Sequence, residues 1–235
     1  MKRVIFLFTF FTSLIFIISS CQSVEREKSN QVEQRLIFPQ YTVSYDAESG
    51  NLTATAQFNL NNSAGSLIQL SSKSEVLFNQ KKLKLIEDKE NQKIFYSIKS
   101  DEILPKKLIF EYTNDIKNTF INKVYINPIV IRGKDIKINK QEGVVIPFIG
   151  ETFSLDETLD CIITVNNTII SNFSPDINSE RKIIFLSPSN LANINNGEYT
   201  LHFVRRQSST QVFAMDRGGY WETEYFSKKI SISIN

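Results

Sequence analysis

Beyond residue 40 the chain alternates apolar and polar side chains with a period of two, in short runs broken by Asn, Asp, Ser, Gly and Pro. That is the pattern of strands with one buried face. The clearest run is residues 52–60, where Leu52, Ala54, Ala56, Phe58 and Leu60 share one side and Thr53, Thr55, Gln57 and Asn59 the other. Residues 61–65, Asn-Asn-Ser-Ala-Gly, then suit a chain reversal. The same logic predicts strands over residues 41–45, 66–70, 75–78, 82–87, 93–98, 107–112 and 120–131. A second set covers 144–148, 158–165, 168–172, 182–186, 198–206, 212–215, 220–224 and 229–234. Each set is enough for one sandwich. The expectation is an all-β chain of two tandem β-sandwich domains, residues 40–138 and 139–235, divided near the charged, glycine-bounded stretch 133–143.

Two segments ahead of the strands read differently. Residues 4–18 are apolar except for Thr9, Thr12 and Ser13, and follow Lys2 and Arg3. A run of about 15 residues falls short of the roughly 20 that cross a bilayer and suits a secretory signal. Residues 22–35 are polar and charged with two isolated valines, too little apolar surface to offset the entropy of ordering, and are expected to form a tether within residues 21–39. Ile18-Ser19-Ser20-Cys21 resembles the lipobox of bacterial lipoproteins. The resemblance implies that residues 1–20 are removed as a signal peptide and that Cys21 is acylated, palmitate included, anchoring the protein to a membrane of the cell envelope. Gln22 after the cysteine, where Asp is absent, resembles the choice that sorts to the outer membrane, with the protein facing periplasm or surface.

A second resemblance lies near the C-terminus. Asn195-Asn196-Gly197-Glu198-Tyr199-Thr200-Leu201 is similar to the Asp-x-Gly-x-Tyr-x-Cys signature of strand F in immunoglobulin-like domains, with Asn195 in place of the acid and Leu201 in place of the cysteine. It implies an immunoglobulin-like second domain in which Tyr199 is the corner tyrosine. It also implies that Cys161 occupies the strand B position, a small buried thiol facing Leu201.

Charge and composition narrow the chemistry. Removing residues 1–20 takes away Lys2 and Arg3 and no acid, so 27 basic side chains become 25 against 25 acidic ones. A formally neutral protein has no long-range field to gather nucleic acid, and no nucleic-acid partner is expected. With Cys21 acylated, Cys161 has no partner for an intramolecular disulfide, so stability must come from packing, for which 18 Phe and 8 Tyr supply large side chains. The single histidine, His202, excludes a polyhistidine zinc site; no metal-like spacing, Gly-x-Ser-x-Gly elbow or calcium loop is present, and no cofactor is implied. Glu151, Asp156, Glu157 and Asp160, and again Asp216, Glu222 and Glu224, are close in sequence but read as surface acids.

One segment stands out. Residues 205–221 carry the only tryptophan and a strong turn signal at Asp216-Arg217-Gly218-Gly219, predicting a projecting hairpin. Arg205, Arg217, Tyr220 and Trp221 are the candidate binding residues, being of the types that dominate interface hot spots. The competing reading lays Phe213, Met215 and Trp221 over the end of the core. The expected function is that of a non-enzymatic binding or structural subunit with an envelope protein or glycan as partner. The alternative is a glycan-binding accessory or carbohydrate-active enzyme, which would bring several carboxylates together with Trp221 in one cleft.

Overall fold

The computed structural model describes residues 26–214 and 216–235, and these are nearly all β. The lipobox and Cys21 lie outside the described residues, as does Met215. The first half contains β1 (Arg26–Lys28), β2 (Ile37–Asp46), β3 (Asn51–Leu60), β4 (Leu67–Gln69), β5 (Glu75–Phe78), β6 (Lys81–Lys82), β7 (Lys84–Asp88), β8 (Lys93–Asp101), β9 (Leu108–Thr113) and β10 (Thr119–Val124). The second contains β11 (Ile129–Ile131), β12 (Asp135–Ile138), β13 (Val144–Gly150), β14 (Glu157–Val165), β15 (Thr168–Phe173), β16 (Asp176–Asn178), β17 (Ile183–Leu186), the one-turn helix α1 (Pro188–Leu191), β18 (Gly197–Ser209), β19 (Tyr220–Phe226) and β20 (Ile230–Ile234). Among the described residues no helix is long and apolar enough to cross a membrane.

The two sandwiches are fused through one sheet. Its strand order is β1-β4-β3-β2-β19-β18-β14-β15, with β7 and β8 joined on β3 and β12 and β20 on β18. At the centre, β2 and β19 pair in parallel over seven positions, from Gln40 opposite Tyr220 to Asp46 opposite Phe226. The sheet β10-β9-β5-β6 covers one half and β11-β13-β17-β16 the other. Each half has its own apolar cluster, one around Tyr41, Phe58 and Phe110, the other around Phe148, Cys161 and Phe203. The buried face of β19 feeds both, from opposite ends of the strand: Trp221 packs in the first cluster and Tyr225 in the second. Gly219 permits this docking, because a Cβ there would stand 2.7 Å from both the Pro39 carbonyl and a Val212 methyl.

The second half has the immunoglobulin strand order. With β11, β13, β17 and β16 as A, B, E and D, strands β15, β14, β18 and β20 are C′, C, F and G. Strand G is broken at residues 227–229, so that β19 pairs with one end of β18 and β20 with the other. Strand A is also split: β11 pairs with β13, and after Gly133, at φ 108°, the chain crosses to lay β12 parallel to β20. Ile129 and Ile138 accordingly pack in the second cluster. The stretch 133–143 is a crossing and a turn inside the second sandwich, not a linker, and the second sandwich begins before residue 139.

That shift of one strand corrects the placement of Cys161. β14 is strand C and hydrogen-bonds beside strand F in the same sheet, with Cys161 opposite Phe203 and Leu201 opposite Ile163. Cys161 does not face Leu201 across the sandwich. It is fully buried, and burial pushes its thiol far up.

The expected tether also differs. From Arg26 onward it is laid on the body: β1 pairs with β4, Ser29 is buried, and β2 begins at Ile37.

Because Trp221 is 5 % exposed in a core otherwise built from residues 37–124 and 212, Trp221→Ala is expected to cost about 3–5 kcal/mol. Urea unfolding should show it as loss of the first sandwich, although the residue lies near the C-terminus.

Candidate functional site

The four residues singled out for binding have different fates. Arg205 points into the second sandwich and is 2 % exposed. Its Nε and Nη2 donate to the two carboxylate oxygens of Glu157 at 2.9 and 2.8 Å, and Nη1 and Nη2 donate to the carbonyls of Glu151 and Thr152 at 3.0 and 3.1 Å. The guanidinium lies 3.9 Å from the centre of the Phe153 ring. Asn127 and the Ser154 N–H also donate to Glu157. An arginine so occupied is a structural ion pair and is not available to a partner. Trp221 is 5 % exposed and packs in the first cluster, while also lining a cleft beside β10. Tyr220 is half-buried on the opposite, polar face of the shared sheet beside Gln40, and Arg217 is exposed in the turn.

Tyr199 has its hydroxyl donating to the Asn195 carbonyl at 2.9 Å, the corner contact of strand F. His202 lies on the outer face of β18; burial first, and then Lys229, push its pKa down against the pull of Asp46. Glu222 and Glu224 project to the outer face of β19, opposite Trp221, and Arg206 binds Glu224 at 2.7 Å and also Asp160. Tryptophan and carboxylates therefore do not share a cleft. Among the described residues no group of three or more His, Cys, Asp or Glu is placed to hold a metal ion.

The hairpin nevertheless builds a surface, through residues whose role the sequence did not signal. Asn122, on β10 and 2 % exposed, clasps the loop after β18: its amide donates to the Phe213 carbonyl at 3.0 Å and its carbonyl oxygen accepts the Phe213 N–H at 2.6 Å. A side-chain amide thus takes the place of a neighbouring strand. Val212 turns into the core while Phe213 is 77 % exposed. Thr223 on β19 donates to the Tyr125 carbonyl at 2.6 Å, closing the far side. Between them lies a cleft of about 520 Å³ lined by Ile121, Lys123, Tyr125, Thr210 and Phe213 among others. Ile121 and Tyr125 are 54 % and 59 % exposed, so three large apolar side chains stand around one opening.

The Glu157 carboxyl has opposing influences: burial raises its pKa, but hydrogen bonds from Arg205, Asn127 and the Ser154 N–H outweigh that and hold it below its usual value of 4.5. A depressed carboxylate stabilises the fold above the unfolded pKa, and that stability is lost as pH falls through the folded value. Arg205→Ala is expected to cost about 3–5 kcal/mol near neutral pH by stranding the carboxylate. It should also reverse the sign of this group's acid limb, so that the loss shrinks as pH is lowered; denaturant unfolding across the acid range measures both. No family model and no curated protein matches the chain.

Proposed function

We propose that the protein is an envelope lipoprotein, anchored by acyl chains on Cys21 to a membrane, the outer membrane by the choice of Gln22, and that it acts as a non-enzymatic binding subunit. The cleft between β10 and the hairpin meets a protein partner. The observation that carries this reading is the Asn122 clasp. It fixes the backbone of Phe213 at both its N–H and its carbonyl while leaving the ring 77 % exposed. An aromatic held on a rigid backbone loses little conformational entropy on binding, which is how interface anchors gain affinity. Ile121 and Tyr125 extend the apolar contact, Lys123 gives it a charged rim, and Arg217 in the same hairpin remains accessible. The anchor is supported by the sequence resemblance at residues 18–21, and several acyl chains together give stable attachment where one is marginal.

The test is affinity capture of the tagged protein from cross-linked cells, with wild type beside Phe213→Ala plus Tyr125→Ala. As both side chains are exposed, the double variant should unfold within about 0.5 kcal/mol per substitution of wild type. A captured protein lost from the variant supports the cleft as the binding surface. A partner kept by the variant but lost on Arg217→Ala would transfer the role to the turn, and a partner indifferent to both would refute the hairpin reading.

A further inference from the structure

Where the chain becomes attached to the body sets how far the body can stand from an anchor. At β1, Arg26 lies opposite Leu67 and pairs with Glu87 at 3.0 Å. Next, Ser29 is fully buried and its hydroxyl accepts the Ser71 N–H at 2.8 Å. Gln34 closes the latch from the other side: its amide donates to the Ser29 carbonyl at 2.5 Å, and its carbonyl oxygen accepts the Asp115 N–H at 3.1 Å. The Ser71 hydroxyl donates to the Asp115 carboxylate. The N-terminal segment is therefore bonded both to the loop after β4 and to the turn between β9 and β10.

Five backbone steps separate Cys21 from Arg26, about 17 Å at full extension, whereas residues 22–35 left free would reach about 50 Å. The rim beside the latch suits a lipid surface. Ile116, at the tip of the turn, is 60 % exposed, and Lys28, Lys73 and Lys117 are exposed around it. The Lys117 ammonium donates to the Lys73 carbonyl at 2.8 Å, which holds the two loops together. An apolar tip among lysines can enter the headgroup layer while the cations meet phosphates. β1 and β15 are opposite edges of the shared sheet, seven strand spacings or roughly 34 Å apart.

We infer that the first sandwich lies against the phospholipid surface, with Lys28, Lys73, Ile116 and Lys117 turned to the headgroups and the β15 edge directed away. This rests on the acylation of Cys21 proposed above. The full chain is expressed with its leader, and incorporation of labelled palmitate is compared with Cys21→Ala; absence of label overturns the anchor itself. The labelled protein, carrying a fluorophore at Asn118→Cys, an exposed position beside the lysines, or at Thr168→Cys, is placed in phosphatidylethanolamine–phosphatidylglycerol vesicles with a headgroup quencher. Cys161, being buried, should not take up the fluorophore.

Quenching several-fold stronger at position 118 than at 168 is expected. Ser29→Ala plus Gln34→Ala should reduce the signal at 118 without loss of palmitate. Equal quenching at the two positions, or stronger quenching at 168, overturns the orientation even when the anchor is confirmed. A signal at 118 indifferent to the latch substitutions overturns the short leash as its cause.

Discussion

The parallel pairing of β2 with β19 is the contact on which both halves of the molecule depend. β2 comes near the start of the described chain and β19 near its end, and each would otherwise be an unpaired edge with a row of free N–H and carbonyl groups. Unpaired edges invite pairing with other chains, so joining them removes a liability from both sandwiches at once. The join also has a packing consequence. Because one face of β19 is buried and its ends stand over different sheets, the strand places Trp221 in one core and Tyr225 in the other. Loosening the pairing withdraws a large aromatic from each.

The fold class and most strand positions were legible, because burial of one face writes itself into a sequence as alternation. Alternation over residues 52–60 predicts a strand and β3 runs Asn51–Leu60; alternation over residues 158–165 predicts another and β14 runs Glu157–Val165. What alternation does not encode is the partner. The run from Tyr220 to Phe226 has clear faces, but nothing in it tells that its neighbour is a strand some 180 residues earlier. The glycines at 133 and 143 marked turns, and whether a turn lies within a domain or between domains depends on which strands close around it.

The candidate site was legible only as a region. The hairpin was visible from its turn residues, yet the types chosen for binding, Arg205 and Trp221, are also the types that fill interiors. Arg205 is buried because Glu157 stands on the neighbouring strand, forty-eight positions earlier, and the pair satisfies itself. Phe213 is exposed because Asn122, ninety-one positions earlier, holds its backbone with the ring outward. Both outcomes were decided by one distant polar residue. Local composition carries no trace of either.

The β2 and β19 contact also bears on how the protein is made. A chain emerges from its N-terminus at roughly 5–20 residues per second, and domains usually close as they emerge. Here the first sandwich lacks one of its sheet strands and Trp221 until residue 226 has appeared, so its core is incomplete until then. Until then β2 stays open along the edge that β19 will fill. The second sandwich is delayed as well, since β19 and β20 are its strand G. Both cores are therefore completed only when β19 and β20 arrive, and a nascent chain interrupted short of those strands has neither core complete.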